Sequence, residues 1–253
     1  MRIDINSDMG ESFGAYTIGH DAGLMRSITS ANVAAGFHAG DPSVLRETIR
    51  LAKTHGVAVG AHPGFPDLVG FGRRELSVTP REAEDLVLYQ IAAVAGVASA
   101  EGVRLQHVKP HGALFNMAVQ NAELAGAIAR AVAAFDPSLI LFGLPGSEIL
   151  KAGTAAGLRV AAEAFADRAY EADGTLASRK KPGSVIHDAA IVVTRAVRMV
   201  QDRTVVAMDG TIVPLEADTI CVHGDTPGSD ELAAKVRAGL EAAGILVKAI
   251  AEG

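Results

Sequence analysis

The sequence predicts a single-domain α/β protein that folds as a TIM-like β/α barrel, with eight parallel strands or a distorted ring of seven. Apolar segments with the two-residue period of strands alternate with amphipathic helical segments, which is typical of βα units. Several predicted strands end in a histidine, a lysine or an acid, as in barrels whose active sites lie at the carboxyl ends of the strands. The 253 residues are enough for one such barrel around one core.

The first part of the chain contains three predicted strands and two strongly capped helices. Apolar and polar side chains alternate from Arg2 to Asn6, which predicts the first strand. Asp41 precedes a proline in the order of an N-cap and a first helical residue, and Gly56 ends that helix. Thr79 begins a capping box before the longest helix. We expect strands near 2–6, 29–35 and 57–62 and helices near 21–27, 42–55 and 80–100.

The second part continues the alternation and contains one predicted insertion. Asp209 and Gly210 form a two-residue turn between short apolar runs, which predicts a small β-hairpin near 204–214. An irregular polar segment, 169–187, precedes it, and no linker divides the chain, so we expect one barrel domain over residues 1–253. The remaining strands are expected near 105–109, 138–143, 158–163 and 219–222, with an eighth or edge strand at 245–250, and the helices near 121–134, 147–156, 188–202 and 229–243.

Composition excludes several classes of protein. A net charge of −6 and the absence of tryptophan argue against nucleic-acid binding, which needs a basic face and favours aromatic platforms. No apolar run approaches the roughly 18 residues that span a bilayer, and no signal peptide opens the chain, so we expect a cytoplasmic protein without membrane contact. The single cysteine, Cys221, excludes an internal disulfide and is expected to be a small buried side chain.

The candidate site residues stand at the ends of predicted strands. His38, His62, His111 and His223 follow four of these strands, and Asp8 follows the first. Parallel strands end on a common face, so we expect these side chains to converge. The glycine-rich loop 63–74 is longer than a minimal connection and is expected to be a binding loop on that face.

Two kinds of site fit these residues. In one, a divalent metal ion is held by Asp8, His38 and His62 and activates water. In the other, an aspartate or a histidine activates water without a metal, while Lys109 and Arg168 stabilise negative charge. The sequence has no phosphate-binding loop, no dinucleotide fingerprint and no serine-hydrolase elbow.

The strand-end motifs resemble those of the LamB/YcsF family, in the same order along almost the whole chain. The motifs that carry this resemblance are NSDMGE at 6–11, ANVAAGFHAGD at 31–41, GAHPGFPD at 60–67, HVKPHG at 107–112, EAFADR at 163–168 and VHGD at 222–225. The resemblance implies a barrel of the glycoside hydrolase and polysaccharide deacetylase type. It also implies a hydrolase that opens the cyclic amide of 5-oxo-L-proline to L-glutamate with ATP as co-substrate, in a 5-oxoprolinase complex with two further subunits, of the B and C type. Self-association of the chain into a homo-oligomer is left open.

On this basis we expect Asp8, with His38 or His62, to orient or deprotonate the attacking water. Lys109 and Arg168 would hold phosphate or the substrate carboxylate, and His111 or His223 would protonate the departing nitrogen. The residues expected to bind substrate are Asn6, Glu11, Asn32, Arg73, Glu163, Asp167, Arg168 and Asp225.

Two further functions stay open at this point. The chain is alternatively a metal-dependent amide hydrolase or deacetylase that acts alone, or a non-catalytic subunit that binds a lactam for its partners. The first predicts a stoichiometric metal ion and activity without ATP.

Overall fold

The computed structural model of the protein describes residues 1–222 and 228–250. The ten strands in these ranges are β1 (Arg2–Met9), β2 (Ser30–Ala34), β3 (Ala58–His62), β4 (Leu105–Val108), β5 (Ile140–Gly143), β6 (Arg159–Phe165), β7 (Thr204–Val206), β8 (Ile212–Pro214), β9 (Thr219–Cys221) and β10 (Leu246–Val247). The eight helices are α1 (Asp21–Leu24), α2 (Pro42–His55), α3 (Pro80–Ala100), α4 (Gly112–Ala118), α5 (Ala122–Phe135), α6 (Glu148–Ala155), α7 (Ala189–Gln201) and α8 (Ser229–Ala242).

Seven parallel strands close into a barrel, which confirms the distorted, seven-stranded form of the prediction. The strand order is β1, β2, β3, β4, β5, β6 and β9, and β9 pairs with β1 to complete the ring. Cys221 of β9 is opposite Asn6 of β1 on one side and Phe165 of β6 on the other. Among the described residues, the terminal strand β10 pairs only with the start of β1, where Ile3 is opposite Val247, so it is an edge strand outside the ring.

The caps that the sequence predicts are present. The Asp41 side chain accepts hydrogen bonds from two backbone N–H groups at the start of α2, and Gly56 ends this helix with a φ of 66°. Thr79 and Glu82 form the capping box of α3. Helix α4 was not predicted, because His111 precedes it without a side-chain hydrogen bond to the helix, so no capping signal marks its start.

The predicted hairpin is observed outside the barrel. Strands β7 and β8 are antiparallel, with Val205 opposite Val213, and are joined through the turn at Asp209 and Gly210. Among the described residues, α3 is the one helix that is long and apolar enough to be a candidate membrane span. It packs against β3, β4 and α5 as one of the helices around the barrel.

The inside of the barrel has an apolar floor and a polar upper part. Ile140, Phe142 and Ala161 form a small apolar cluster separate from the main core, and Ile250 packs against it. Along β1, by contrast, the polar residues Asp4, Asn6 and Asp8 occupy every second position and are buried or nearly so. The polar side chains inside the barrel therefore lie toward the carboxyl ends of the strands.

Asp4 has the structural role that its position suggests. Its carboxylate accepts hydrogen bonds from the hydroxyls of Thr29 (2.6 Å) and Ser30 (2.7 Å), and also from that of Thr219. Burial raises the pKa of Asp4, and these three hydroxyls lower it in part. The contacts join β1 to β2 and β9, so Asp4 helps to hold the barrel closed.

Candidate active site

The centre of the site is the ammonium group of Lys109, which follows β4. Its Nζ atom lies 2.8 Å from Asp8 Oδ1, 2.8 Å from Glu163 Oε1 and 3.2 Å from Cys221 Sγ. The Lys109 residue is 3% exposed and Glu163 is fully buried. One cation therefore contacts two carboxylates from β1 and β6 inside the barrel.

These contacts determine the charges of the group. Burial lowers the pKa of Lys109, but Asp8, Cys221 and Glu163 raise it more, so the net pKa lies well above its ordinary value and the ammonium stays protonated. Burial raises the pKa of Glu163, and Lys109 lowers it in part. Burial also raises the pKa of the Cys221 thiol well above its ordinary value, so Cys221 is a neutral thiol here.

Two asparagines connect this group to a buried histidine. Asn32 Nδ2 donates to Asp8 Oδ1 (2.9 Å) and to Asn6 Oδ1 (2.7 Å). His107 Nε2 lies 2.8 Å from the Asn32 amide oxygen, which only accepts, so this nitrogen carries the proton. Burial, and then the charge of Lys109, lower the pKa of His107 to about 3. A Cβ atom on Gly60 would come within 2.1 Å of His107 Nε2, so this ring needs a glycine beside it.

A second group, of three histidines, lies next to Asp8. His62 Nε2 is 3.4 Å from Asp8 Oδ1 and 2.9 Å from His111 Nδ1. The His38 ring stacks on His111 at a centroid distance of 3.8 Å. All three residues are at most 4% exposed. Burial, followed by the neighbouring histidines, lowers the pKa of His38 well below its ordinary value, and burial lowers that of His111 to about 3.

Backbone carbonyl groups fix the proton positions on two of these rings. His62 Nδ1 lies 2.7 Å from the Lys109 carbonyl oxygen, and His111 Nε2 lies 2.8 Å from that of Phe71. A carbonyl oxygen only accepts, so each of these nitrogens donates its N–H. With a single proton on each ring, His62 Nε2 and His111 Nδ1 are therefore lone-pair nitrogens that face each other.

Glu11 completes a set of groups that can hold a metal ion. One ligand atom from each of Glu11, His38, His62 and His111 lies within 4.8 Å of the other three. The metal set predicted from the sequence was Asp8, His38 and His62. The structure keeps both histidines in the cluster and replaces Asp8, whose Oδ1 contacts Lys109, by Glu11 and His111.

The glycine-rich loop 63–74 covers this histidine group. Phe71 has a left-handed backbone with a φ of 55°, uncommon for a bulky residue, and its carbonyl accepts from His111. A Cβ atom on Gly64 would come within 2.5 Å of His38 Nδ1. The Arg73 guanidinium lies over the Phe71 ring, 4.9 Å from its centroid, and its charge lowers the pKa of His38 and His111.

The remaining predicted residues lie away from these two groups or outside the described residues. Arg168 Nη2 donates to the Ala177 carbonyl (2.6 Å) and its Nε to that of Ser184 (3.3 Å), so its side chain holds the segment after β6. This geometry disagrees with the anion-binding role expected for Arg168. Asp167 is buried next to it and affects its pKa. His223 and Asp225 lie outside the described residues.

Sequence reasoning assigned no site role to Cys221, His107 or Phe71. Cys221 is buried as predicted, but it also contacts the Lys109 ammonium. His107 lies two positions before Lys109 in the HVKPHG motif, so strand alternation places both side chains on the same face of β4. This spacing could have predicted that His107 lies near the site. Nothing in the sequence marks the left-handed backbone of Phe71.

Comparison with known proteins shows close relatives over the whole chain. The model of the LamB/YcsF family matches residues 3–253. The A subunit of 5-oxoprolinase from Bacillus licheniformis is 55% identical over 248 residues, which cover 98% of this chain and 98% of that protein. The crystal structure of the lactam utilization protein from Thermus thermophilus is 52% identical, covers 99% of this chain and 100% of that one, and has a TM-score of 0.94.

A more distant structural similarity concerns the fold alone. A family 4 carbohydrate esterase from Streptomyces lividans in complex with acetate is 12% identical, with coverage of 99% of this chain and 93% of that one and a TM-score of 0.51. The barrel thus has the same overall architecture as that esterase.

Proposed function

The chain belongs to the LamB/YcsF family, and we propose that it is the A subunit of a complex that opens 5-oxo-L-proline to L-glutamate with hydrolysis of ATP. The observation that carries this proposal is the position of Asp8, which contacts the Lys109 ammonium on one side and His62 on the other, at the carboxyl end of a closed barrel. A carboxylate held in this way is suited to orient or deprotonate a water molecule. The choice of substrate in this proposal rests on the relatives that are named as the A subunit of 5-oxoprolinase.

The coupling to ATP follows from the chemistry of a lactam. Amide resonance stabilises the ring, and transfer of the γ-phosphoryl group to the carbonyl oxygen makes the carbonyl carbon electrophilic. Water then adds to this carbon, the ring C–N bond breaks and the nitrogen takes a proton, which leaves the side-chain carbonyl as an acyl phosphate. A second water hydrolyses this acyl phosphate to the glutamate carboxylate and inorganic phosphate. The described residues carry no recognised nucleotide motif, so we assign the phosphoryl transfer to the two partner subunits, of the B and C type. The chain is expected to act in the cytoplasm.

The geometry refines the roles expected from the sequence. Lys109 is already neutralised by Asp8 and Glu163, so in this proposal it positions Asp8 and does not bind phosphate. His62, with a fixed proton on Nδ1, assists Asp8 through Nε2. Arg73 is exposed on the loop that covers the histidines. In this proposal Arg73, and not Arg168, binds the anionic substrate.

The low pKa of His111 leaves this residue neutral at pH 7, so it is a poor donor for the ring nitrogen. The alternative donor, His223, lies outside the described residues.

The first experiment measures glutamate release from 5-oxo-L-proline by the purified chain, with and without ATP and with and without the partner subunits. We expect glutamate only when ATP and both partners are present. If no glutamate appears under any condition, the proposed substrate is wrong.

A variant then tests the role of Asp8. Asp8→Asn should lower turnover of the complex at least ~tenfold, because the amide cannot accept the proton of water. The control Asp85→Asn changes an exposed aspartate of α3, 71% exposed, and should leave turnover unchanged. Circular dichroism checks that both variants are folded. Normal turnover in Asp8→Asn would remove this residue from the mechanism.

The histidine and glutamate cluster favours a second candidate function, a metal-dependent amide hydrolase that acts without partners. This function predicts hydrolysis of an amide by the isolated chain without ATP, and inhibition by a chelator. Activity that survives complete removal of metal would exclude it.

A further inference from the structure

We propose that four buried side chains at the mouth of the barrel hold one divalent transition-metal ion of the zinc type: Glu11, His38, His62 and His111. This inference goes beyond the proposed function, because it concerns what the isolated chain binds before any substrate, nucleotide or partner is present.

The first argument is the pair of facing lone pairs. His62 Nε2 and His111 Nδ1 are 2.9 Å apart, and the opposite nitrogen of each ring donates to a backbone carbonyl. Two acceptors at this distance repel each other unless a cation lies beside them. Two nitrogens bound to one tetrahedral zinc ion at ~2.0–2.1 Å would be roughly 3.3 Å apart, which is close to the observed separation.

The second argument is the environment of the ring protons. Metal-binding histidines commonly donate their other N–H to a carbonyl or a carboxylate, which fixes the tautomer and orients the ring. His62 and His111 do this with the carbonyls of Lys109 and Phe71. The left-handed backbone of Phe71 is one place where the chain accepts strain next to this ring.

The third argument is the state of His38. Its side chain is 1% exposed, and neither ring nitrogen has a hydrogen-bond partner among the described residues. A buried polar atom without a partner costs about 1–3 kcal/mol, so a missing ligand is a simple explanation. Its ring faces the same group of ligand atoms as Glu11, whose Oε1 is 4.0 Å from His111 Nδ1.

The donor set also indicates the class of ion. Three imidazole nitrogens and one carboxylate oxygen suit zinc and neighbouring transition metals, whereas calcium and magnesium need a shell of oxygens. The carboxylates of Glu11, Asp8 and Glu163 outnumber the nearby buried ammonium of Lys109, so a divalent cation would also offset negative charge. Such an ion lowers the pKa of a bound water to about 7 and polarises a carbonyl oxygen.

The test uses the full chain alone. The protein is stripped of metal with a chelator, its folding is checked by circular dichroism, and Zn²⁺ is added in a calorimetric titration with elemental analysis of the dialysed product. We expect one Zn²⁺ per chain. The melting temperature should rise by about 5 °C or more at a hundredfold excess over Kd, because the ion binds the folded state.

Variants locate the ion. Glu11→Gln and His38→Gln should each weaken Zn²⁺ binding at least ~tenfold and remove most of the thermal shift. His55→Gln is the matched control, because His55 is an exposed histidine at the end of α2 and should leave both values unchanged. If Zn²⁺ binds equally well to both cluster variants, the ion sits elsewhere and the proposal is wrong.

A second readout does not depend on variants that fold. Co²⁺ added to the stripped wild-type chain should give the visible absorption bands of a four- or five-coordinate nitrogen and oxygen site. If the folded chain shows no such bands and takes up no Zn²⁺, the two facing nitrogens share a proton and the metal proposal fails. Neither measurement involves 5-oxo-L-proline or ATP, so failure here is distinguishable from failure of the proposed function.

Discussion

Replacing Lys109 by methionine tests how much the buried ammonium stabilises the fold through its two carboxylate partners. Lys109 Nζ lies 2.8 Å from both Asp8 Oδ1 and Glu163 Oε1. With an effective dielectric constant of about 20, Coulomb's law gives about 6 kcal/mol for each pair at this distance. The cost of desolvating the three charges offsets most of this sum, and removal of one partner from a buried ion pair typically costs about 3–5 kcal/mol.

The loss should depend on pH, and its sign can be derived. Without the ammonium, the carboxyl groups of Asp8 and Glu163 have two options in the folded state. Either both stay ionised and repel each other, or one of them retains a proton. Their folded pKa values then lie above the unfolded values of about 4, so the folded chain binds more protons and its stability falls as pH rises. For each extra proton that the folded state retains, the free energy of unfolding falls by at most about 1.4 kcal/mol per pH unit across that window. We expect Lys109→Met to cost about 1 kcal/mol near pH 5 and about 4 kcal/mol near pH 8.

Urea unfolding at these two pH values measures the effect. Lys151→Met makes the same chemical change at an exposed ion pair, where the Lys151 side chain is 65% exposed and 2.7 Å from Glu148 Oε1. This control should change stability by less than ~1 kcal/mol and show no trend with pH. Adding Glu163→Gln to Lys109→Met should recover part of the loss near pH 8. An equal cost for the two lysine variants near pH 8, or a cost that does not grow with pH, would refute the reasoning.

Two other predictions concern the surroundings of the site. Gly64→Ala should destabilise the fold by about 1–3 kcal/mol in urea unfolding, because the new Cβ would lie 2.5 Å from His38 Nδ1 while both peptide groups of Gly64 are held by Gln90. Gly96→Ala, with open space around its Cβ on α3, should instead stabilise by up to ~1 kcal/mol, and a similar loss in both variants would contradict the steric argument. Cys221, with its raised pKa and full burial, should resist alkylation near pH 8 until denaturant is added, as intact mass measures; rapid labelling of the folded chain would show that the thiol is accessible.

Local signals in the sequence were sufficient for most of the secondary structure. Helix α2 begins and ends where Asp41 and Gly56 indicate, and α3 begins where Thr79 indicates, because caps act within a few residues of the chain. The hairpin around Asp209 and Gly210 is equally local. Helix α4 has no such signal, and its existence depends on the way the chain leaves β4.

The sequence also indicated that several strand-end side chains meet on one face of the barrel, whereas their membership of an active site and their roles stay proposals. Parallel strands all end on one face, so an acid, a lysine or a histidine after each strand predicts their convergence without any knowledge of distances. Asp8, Lys109, His62 and His111 do converge there.

Only the tertiary structure decided how these residues are paired. Closure with seven strands places Glu163 of β6 next to Lys109 and Asp8, and this neutralises a cation that the sequence suggested as an anion-binding group. Arg168 follows a strand end like the others, yet its side chain bonds to the carbonyls of Ala177 and Ser184. Such contacts join residues far apart in the chain or depend on the rotamer of one side chain. The physical reason is that caps and alternation are set by neighbours in sequence, whereas charge pairing, tautomers and the spacing of the clustered histidines depend on the register of strands that meet only when the barrel closes.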